Sequence, residues 1–269
     1  MLINLIVSEV KHDILRHKWR YFSFFLFMTI TILGKCFYMS EAGIGDFGIF
    51  GLNASNILLG IPRYVFYADN QIVVPAGWIV MLLFIPFIVG DWCEYELCGI
   101  GVYKILLSGR KNWWIAKFTS VFVGAIIYIA IYFLSQILIT IILNGDLIEA
   151  SDDIWLYNSG YSRMLSEITT FYLYTIAMPC VSFITFFVCS FVLSLICGSV
   201  KSFMMITIYI VLGVFYTSPY FIGNQLMLLR STHFDSQGID IIDSIFIDLI
   251  LIIGGYAIGR SYIHNKDLI

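Results

Sequence analysis

Residues 116–143 read AKFTSVFVGAIIYIAIYFLSQILITIIL, an apolar run whose single charged residue, Lys117, lies near its start. A helix that crosses the hydrocarbon core of a bilayer needs about 20 consecutive, mostly apolar residues, and this run is long enough. The chain contains five further runs of the same kind. We therefore predict six spanning helices, over residues 21–40, 73–91, 116–143, 171–197, 203–222 and 241–260.

The overall composition agrees with this interpretation. Of the 269 residues, 60% are hydrophobic and 12% are charged, whereas soluble domains average about 25% charged residues. The composition predicts an all-α membrane protein in which residues 1–269 form a single transmembrane domain. The net charge of −3 and the lack of a basic stretch with interleaved aromatic residues argue against a nucleic-acid partner.

The lysines and arginines predict the orientation. With the N-terminus in the cytoplasm, eleven of the 15 lie on the cytoplasmic side: Lys11, Arg16, Lys18, Arg20, Lys104, Arg110, Lys111, Lys117, Lys201, Arg260 and Lys266. Three lie outside (Arg63, Arg163 and Arg230), and Lys35 lies within the first span. Because basic residues accumulate in cytoplasmic segments, we predict a multi-pass protein of the cell membrane with both termini in the cytoplasm.

The N-terminal segment 1–20 has the pattern of an amphipathic helix. Ile3, Ile6, Val10 and Ile14 recur at intervals of three and four, and charged residues occupy the other face. We favour an elbow helix that lies in the headgroup plane before the first span. The alternative is a short cytoplasmic helix packed on the bundle.

The segment between the second and third spans, residues 91–117, reads DWCEYELCGIGVYKILLSGRKNWWIAK. It carries too many charges to span a membrane, yet it contains enough apolar residues to lie near the surface. We predict a short helix from about residue 92 to 107, a break at Ser108 and Gly109, and a second helix that starts at Arg110 and leads into the third span. The whole coupling region covers residues 92–117.

This region resembles the permease subunits of ABC-2-type transporters. The order of features carries the resemblance: an elbow-like segment before span one, acidic residues after span two, a glycine, a leucine pair, a turn, basic residues, and a lysine that enters span three. In this chain they are Glu94, Glu96, Gly101, Leu106, Leu107, Ser108, Gly109, Arg110, Lys111 and Lys117. Val102 and Ser108 depart from the threonine and the turn proline that many members have.

The resemblance implies six spans, an N-terminal elbow helix and a cytoplasmic coupling helix. A separate ABC ATPase would bind this coupling helix. The residues expected to contact that ATPase are Glu94, Glu96, Gly101, Tyr103, Lys104 and Lys201. ATP and Mg would be bound by the partner, because the chain lacks the G-x-x-x-x-G-K-[ST] loop and is not predicted to be an enzyme itself. A second permease, the same or a different chain, would complete a dimeric pathway among membrane lipids. The expected activity is export of an amphipathic peptide or a hydrophobic compound, as in antibiotic resistance or immunity.

Three ionisable residues fall within the predicted spans: Lys35, Asp243 and Asp248. Charges in the bilayer interior are costly and usually face the protein. Lys35 and Asp248 lie at matching depths, so we predict that Lys35 pairs with Asp248 or Asp243. Asp243 could instead reach the outer headgroups, and Asp248 could line a substrate path or relay protons.

Other chemistry receives little support from the sequence. The sequence predicts no metal site. It has six cysteines, which are expected to be free thiols: Cys36, Cys93, Cys98, Cys180, Cys189 and Cys197. A second hypothesis is a non-transporting immunity or sensor protein that binds a peptide or another membrane protein. A third, an intramembrane enzyme, lacks the residue sets that known intramembrane proteases require.

Overall fold

A computed structural model describes residues 2–41, 57–58, 60–61, 74–94, 96–97, 100–143, 173–232 and 237–266. Within these ranges 86% of the residues are helical and none lies in a strand. Seven helices follow one another: α1 (Leu2–Glu41), α2 (Ala76–Val89), α3 (Ile100–Ser108), α4 (Arg110–Ile142), α5 (Met178–Cys197), α6 (Ser199–Phe215) and α7 (Ile241–Asn265). A π-helical turn, Leu173–Ala177, precedes α5, and two short 3-10 turns, Ile222–Leu226 and Leu228–Arg230, lie between α6 and α7.

Four of these segments are long and apolar enough to cross a membrane: Leu2–Phe37, Arg110–Ile142, Leu173–Cys197 and Ile241–Asn265. Their outward faces are apolar as well. Ile30 on α1, Ile126 on α4 and Ile253 on α7 are all more than half exposed. Large apolar side chains on the outside of several helices are typical of a protein whose solvent is lipid. The helices α2 and α6 are apolar but shorter.

The side-chain contacts of α1 show how the first helices run. Tyr21 donates a hydrogen bond to the carbonyl of Gly124, and Phe24 stacks on Tyr128, so α1 and α4 run side by side in the same direction. The helix α2 runs the other way. Arg20 bonds to Asp91 just beyond its end, and Phe24 packs on Phe84 further back.

The helix α5 is the most buried of the long helices and packs against α2, α4, α6 and α7. It runs antiparallel to α4, because Phe191 stacks on Trp114 near the start of α4 and Phe183 packs on Tyr132 further along it. It forms an antiparallel pair with α6. The helix α7 runs parallel to α5, with Asp248 at the level of Ser182 on α5. The directions of α1, α2, α4, α5, α6 and α7 therefore alternate along the chain.

The N-terminal segment differs from the expected elbow. The helix α1 is continuous from Leu2 to Glu41, without a break near residue 20. Its first half packs along the start of α4, where Glu9, Asp13 and His17 are buried. The structure thus supports the less favoured alternative, a helix packed on the bundle, because its polar residues find polar partners on α4.

Two other boundaries are corrected. The helix predicted over residues 92–107 starts only at Ile100, because the chain turns back at Glu96, which abuts Gly101. The break at Gly109 is confirmed, and its φ of +81° is one that glycine adopts without strain. The span predicted over 203–222 is a helix from Ser199 to Phe215 that ends before Pro219.

The segment that links α6 to α7 folds back against the bundle and is held by one arginine. Arg230 is fully buried, and its guanidinium donates hydrogen bonds to the carbonyls of Gly213 and Val214, both at 2.6 Å, and of Ile61 at 3.2 Å. It also bonds to the side-chain oxygen of Asn224. The first two carbonyls belong to the last turn of α6, where a cation is favourable.

Candidate functional site

The most unusual feature of the interior is a fully buried lysine. The ammonium of Lys117 on α4 lies 2.8 Å from the carboxylate of Asp13, 2.7 Å from that of Glu96 and 3.3 Å from that of Glu9. Glu9 and Asp13 lie on α1, whereas Glu96 lies in the turn between α2 and α3. An ammonium has three hydrogens to donate, and here each one meets a carboxylate.

Other side chains complete the cluster. The indole nitrogen of Trp113 donates to Glu96 at 2.7 Å, and the hydroxyl of Ser120 donates to Asp13 at 2.7 Å. Lys104 on α3 forms an ion pair with Glu9 and lies 3.8 Å from Glu96. We call Glu9, Asp13, Glu96, Lys104 and Lys117 the charge network. Its two ammonium groups face three carboxylates, and Lys117 bonds to all three of them.

A second ion pair lies beside the charge network and is centred on Asp91. Arg20 on α1 holds the Asp91 carboxylate through two hydrogen bonds of 2.7 Å, and His17 approaches it at 3.1 Å. Partial burial alone would raise the pKa of Asp91, but the hydrogen bonds and charges of His17 and Arg20 outweigh it and hold this pKa well below its usual range. Arg20 also donates to the carbonyl of Phe87 at 2.7 Å. Phe87 is in the last turn of α2, where carbonyl groups have no hydrogen-bond partner within the helix.

The pKa of Glu96 is likewise set by burial on one side and a neighbouring positive charge on the other. Burial would raise its pKa, but the positive charge of Lys117, together with the hydrogen bond between them, lowers the pKa below its ordinary value. Glu96 therefore stays ionised at neutral pH, so the salt bridge to Lys117 persists. A buried charge pair of this kind specifies one arrangement of the segments that carry it, since removing either partner leaves a costly bare charge.

Two carboxylates of the charge network lie near a histidine, as the ligands of a metal ion would. One ligand atom each of His12, Asp13 and Glu96 lie within 4.8 Å of one another. The same two carboxylates, however, bond directly to the ammonium of Lys117. A metal would have to displace that ammonium from between them. The chemistry of the site is therefore that of a structural ion cluster, which ties together α1, α3, α4 and the turn after α2.

The residues expected to contact an ATPase separate into two groups. Glu96 is only 4% exposed and Lys104 turns toward Glu9 and Glu96, so both belong to the charge network. The carboxylate of Glu96 is bonded to Lys117 and Trp113 within the chain. Gly101 packs against the backbone of Glu96: a Cβ at Gly101 would lie 2.5 Å from the Glu96 Cα.

The other expected contact residues are accessible. Glu94, Tyr103 and Lys201 are exposed, and Tyr103 on α3 is 68% exposed. Leu107, one turn further along α3, is 85% exposed. Glu94 accepts a hydrogen bond from Ser199 at the start of α6, so the turn after α2 and the turn before α6 lie side by side. We call Glu94, Tyr103, Leu107 and Lys201 the outer surface of the coupling region.

The predicted pair between Lys35 and Asp248 is corrected. The carboxylate of Asp248 accepts a hydrogen bond from Ser182 on α5 at 2.9 Å, and the ion pairs among the described residues include none to Asp248. The physical reason is the packing order: Lys35 lies on α1, which packs on α2 and α4, whereas α7 packs on α5 and α4. Asp243 is exposed in the first turn of α7.

Several residues of the charge network were not singled out from the sequence. Glu9, Asp13 and His17 recur every four residues on α1, and all three are buried. This regular spacing of polar residues was the available signal, since it places them on one helical face. The sequence predicts Lys117 only as the lysine that enters the third span. Cys98, one of the six cysteines expected to be free thiols, lies outside the described residues.

Comparisons with protein families, with curated proteins and with solved structures found no match to this chain.

Proposed function

We propose that the chain is the membrane-spanning permease subunit of an ATP-driven exporter of the ABC-2 type. The observation that carries this proposal is the mechanical arrangement of the coupling region. On its inner side, Glu96 is tied to α4 through Lys117, and Lys104 is tied to α1 through Glu9. On its outer side, Tyr103 and Leu107 are exposed. A soluble motor that pushed on α3 would therefore move α1 and α4 with it, as a rigid-body transition requires.

The proposal includes six spans, and the alternating helix directions support that number. If α1 crosses the bilayer outward, α2 returns, and α4, α5, α6 and α7 continue in turn. The 14 residues of α2 and the 17 of α6 give lengths of about 21 and 26 Å, short of a hydrocarbon core of about 30 Å. Bilayers thin locally around short helices at modest cost.

The helix α1 is too long to lie entirely within the hydrocarbon core. Its 40 residues correspond to about 60 Å, roughly twice the hydrocarbon core. About half of α1 must therefore lie outside the core. We infer that this half is the N-terminal one, because it contains Glu9, Asp13 and His17 and contacts the charged start of α4. It would serve as a brace for the coupling region.

The same arrangement supports the proposed orientation. The start of α1, the coupling region, the turn before α6 and the end of α7 share one end of the bundle, since Arg110 bonds to the carbonyl of His264. Eleven of the basic residues belong to these segments. The positive-inside rule places this end in the cytoplasm, where an ATPase could reach it.

The remaining partners follow from the resemblance. An open groove of about 620 Å³ lies between α1, α2 and α6, lined by Phe87, Phe203 and Met204 with Arg20 and Asp91 at its rim. We place a second permease, the same or a different chain, or a lipid against this apolar side. The exported compound would be an amphipathic peptide or a hydrophobic molecule.

Purification from native membranes tests this proposal. The tagged chain is isolated in mild detergent, and MgATP hydrolysis and co-purifying soluble protein of about 25–35 kDa, the size of one domain, are measured. We expect both in the wild type and their loss in a Tyr103→Ala, Leu107→Ala double variant. The matched control is Phe246→Ala with Ile253→Ala, which trims two comparably exposed side chains on α7.

Each result separates the candidate functions. Loss of ATPase in both variants would show a general effect on folding and not a contact at α3. Absence of any ATPase from the folded wild-type chain would reject the exporter and favour the immunity or sensor protein, which needs no motor.

A further inference from the structure

Asp248 is a buried carboxyl group in the middle of an apolar bundle. It lies seven residues after the start of α7, about 10 Å along the helix, and its side chain is fully buried. Ser182 on α5 lies 2.9 Å from its Oδ2 atom, whereas its Oδ1 atom has no hydrogen-bond partner. The site lies where α7 meets α5, α4 and the 3-10 turn Ile222–Leu226.

The hydrogen atoms at this site are too few for an ionised carboxylate. The hydroxyl of Ser182 has one hydrogen and faces two acceptors, Oδ2 of Asp248 at 2.9 Å and Oε1 of Gln225 at 3.5 Å. The amide nitrogen of Gln225 already donates to the carbonyl of Pro219 at 3.0 Å. The nearby hydroxyl of Thr185 donates to the carbonyl of Val181 at 3.0 Å. An ionised aspartate only accepts, so it would leave acceptors without donors.

The charges around the site do not compensate an ionised carboxylate either. Among the described residues, the ionisable neighbours of Asp248 are the thiol of Cys189 on α5 and the phenol of Tyr209 on α6. On α7, Asp243 is exposed one and a half turns away. The buried polar residues in the later part of α4 are uncharged: Ser135, Gln136 and Thr140.

The two buried cations among the described residues are engaged elsewhere. Lys117 on α4 belongs to the charge network near the start of that helix, and Arg230 bonds to backbone carbonyls and Asn224. The 3-10 turn beside Asp248 offers the amides of Asn224 and Gln225, which carry no charge. A bare buried carboxylate is strongly unfavourable unless a cation or a proton neutralises it.

We infer that Asp248 is a proton-binding site and carries a proton in this conformation. The protonated carboxyl donates from Oδ2 to the hydroxyl of Ser182, and this hydroxyl donates to Oε1 of Gln225. The Nε2 atom of the same Gln225 amide donates to the carbonyl of Pro219. Every hydrogen in this chain has an acceptor, and only the neutral Oδ1 lacks a partner. The site goes beyond the proposed export function, because nothing in an ATP-driven cycle requires it.

The same chain of hydrogen bonds runs from Asp248 toward one end of the bundle. It ends at the carbonyl of Pro219, beside Tyr220, which is 75% exposed. Asp248 is therefore linked to the segment at the end of the bundle opposite the charge network. Movement of the 219–226 segment would open Asp248 to that side.

Infrared spectroscopy of the full chain in detergent tests this inference. A protonated carboxyl group gives a C=O stretching band that a carboxylate lacks. We expect the wild type to show a band from a buried carboxyl at pH 7 that shifts slowly in D₂O, and Asp248→Asn to lose that band. The matched control, Asp243→Asn, changes an exposed acid on the same helix and should keep it.

A second variant and a second measurement cover other outcomes. If Asp248→Asn does not fold, Ser182→Ala retains the carboxyl but removes its acceptor, so the band should move and not vanish. Identical spectra for the wild type and Asp248→Asn would overturn the inference. A thermal midpoint raised by sodium chloride and not by choline chloride, in the wild type but not in Asp248→Asn, would overturn it in favour of a sodium ion.

Discussion

Lys117 and Glu96 are 21 residues apart in the chain, yet their ammonium and carboxylate lie 2.7 Å apart in the interior of the bundle. Neither side chain is more than 5% exposed. This one contact fixes the turn after α2 against the start of α4, and through Lys117 both are held to α1. The coupling region is thus part of the bundle and not an independent surface loop.

The first prediction concerns removal of the buried ammonium. Lys117→Met leaves Glu9, Asp13 and Glu96 buried together without the cation that separates them. Breaking a buried charge pair from one side costs about 3–5 kcal/mol, so we expect a large drop in the thermal midpoint and in the yield of folded protein in detergent. Size-exclusion chromatography with fluorescence detection measures both.

The control for this experiment is Lys111→Met, since Lys111 lies on the same helix but is exposed. It should behave as the wild type. Equal stability of Lys117→Met and Lys111→Met would mean that the charge network does not hold these segments together.

The second prediction concerns pH. The pKa of Asp91 is lower in the folded protein than the value of about 3.9 in an unfolded chain. Its ion pair with Arg20 therefore stabilises the fold fully at pH values well above 4, and this contribution is progressively lost as the pH falls below about 4. We expect Asp91→Asn to be less stable than the wild type at pH 7, and the two proteins to converge in acid.

Thermal midpoints of both proteins between pH 7 and pH 3 provide the measurement. Because other carboxylates also titrate in acid, the quantity of interest is the difference between the two curves at each pH. A difference that stays constant across the whole range would show that the Asp91 pKa is not lowered.

The third prediction compares two glycines. At Gly101 a Cβ would lie 2.5 Å from the Cα and 2.6 Å from the carbonyl oxygen of Glu96, so Gly101→Ala must displace the turn that carries Glu96. We expect lower stability and a weaker salt bridge to Lys117. Gly254 on α7 has no atom within 4 Å of the corresponding position.

The change Gly254→Ala should therefore raise stability by about 0.5–1 kcal/mol, because alanine has the higher helix propensity. The two substitutions are chemically identical and are expected to have effects of opposite sign. Thermal midpoints of the two variants in the same detergent decide the point. If Gly101→Ala were as stable as the wild type, the turn that carries Glu96 would not lie against Gly101.

Much of this architecture follows from the sequence, and the reasons for the misses are physical. Hydropathy located the four segments that are long and apolar enough to cross a membrane, and the Ser108–Gly109 break followed from the turn-forming residues. Hydropathy does not show which residues pack against the polar face of a helix. Glu9 and Asp13 have the pattern of a solvent-exposed helical face, but they contact Lys117 and Ser120 on a neighbouring helix. Which polar residues pair is decided by tertiary packing, which a single sequence does not contain.

The last prediction concerns Arg230, which is buried without an acidic partner among its described contacts. Its planar guanidinium reaches the carbonyls of Gly213, Val214 and Ile61 at once, and burial lowers its pKa only to about 10, so it stays charged at neutral pH. Lysine keeps the charge but presents a single nitrogen, which cannot bond to all three carbonyls in these directions. Each unsatisfied buried carbonyl costs about 1–3 kcal/mol, so Arg230→Lys should destabilise the fold strongly.

The exposed Arg260 on α7 provides the matched change, and Arg260→Lys should leave the thermal midpoint unchanged. Limited proteolysis gives a local readout, because loss of the guanidinium should free the 219–231 segment before the whole bundle unfolds. Cleavage in that segment should therefore increase in Arg230→Lys at temperatures where the helices remain intact. If Arg230→Lys were as resistant as the wild type, charge alone, and not the geometry of the guanidinium, would hold this segment against the end of α6.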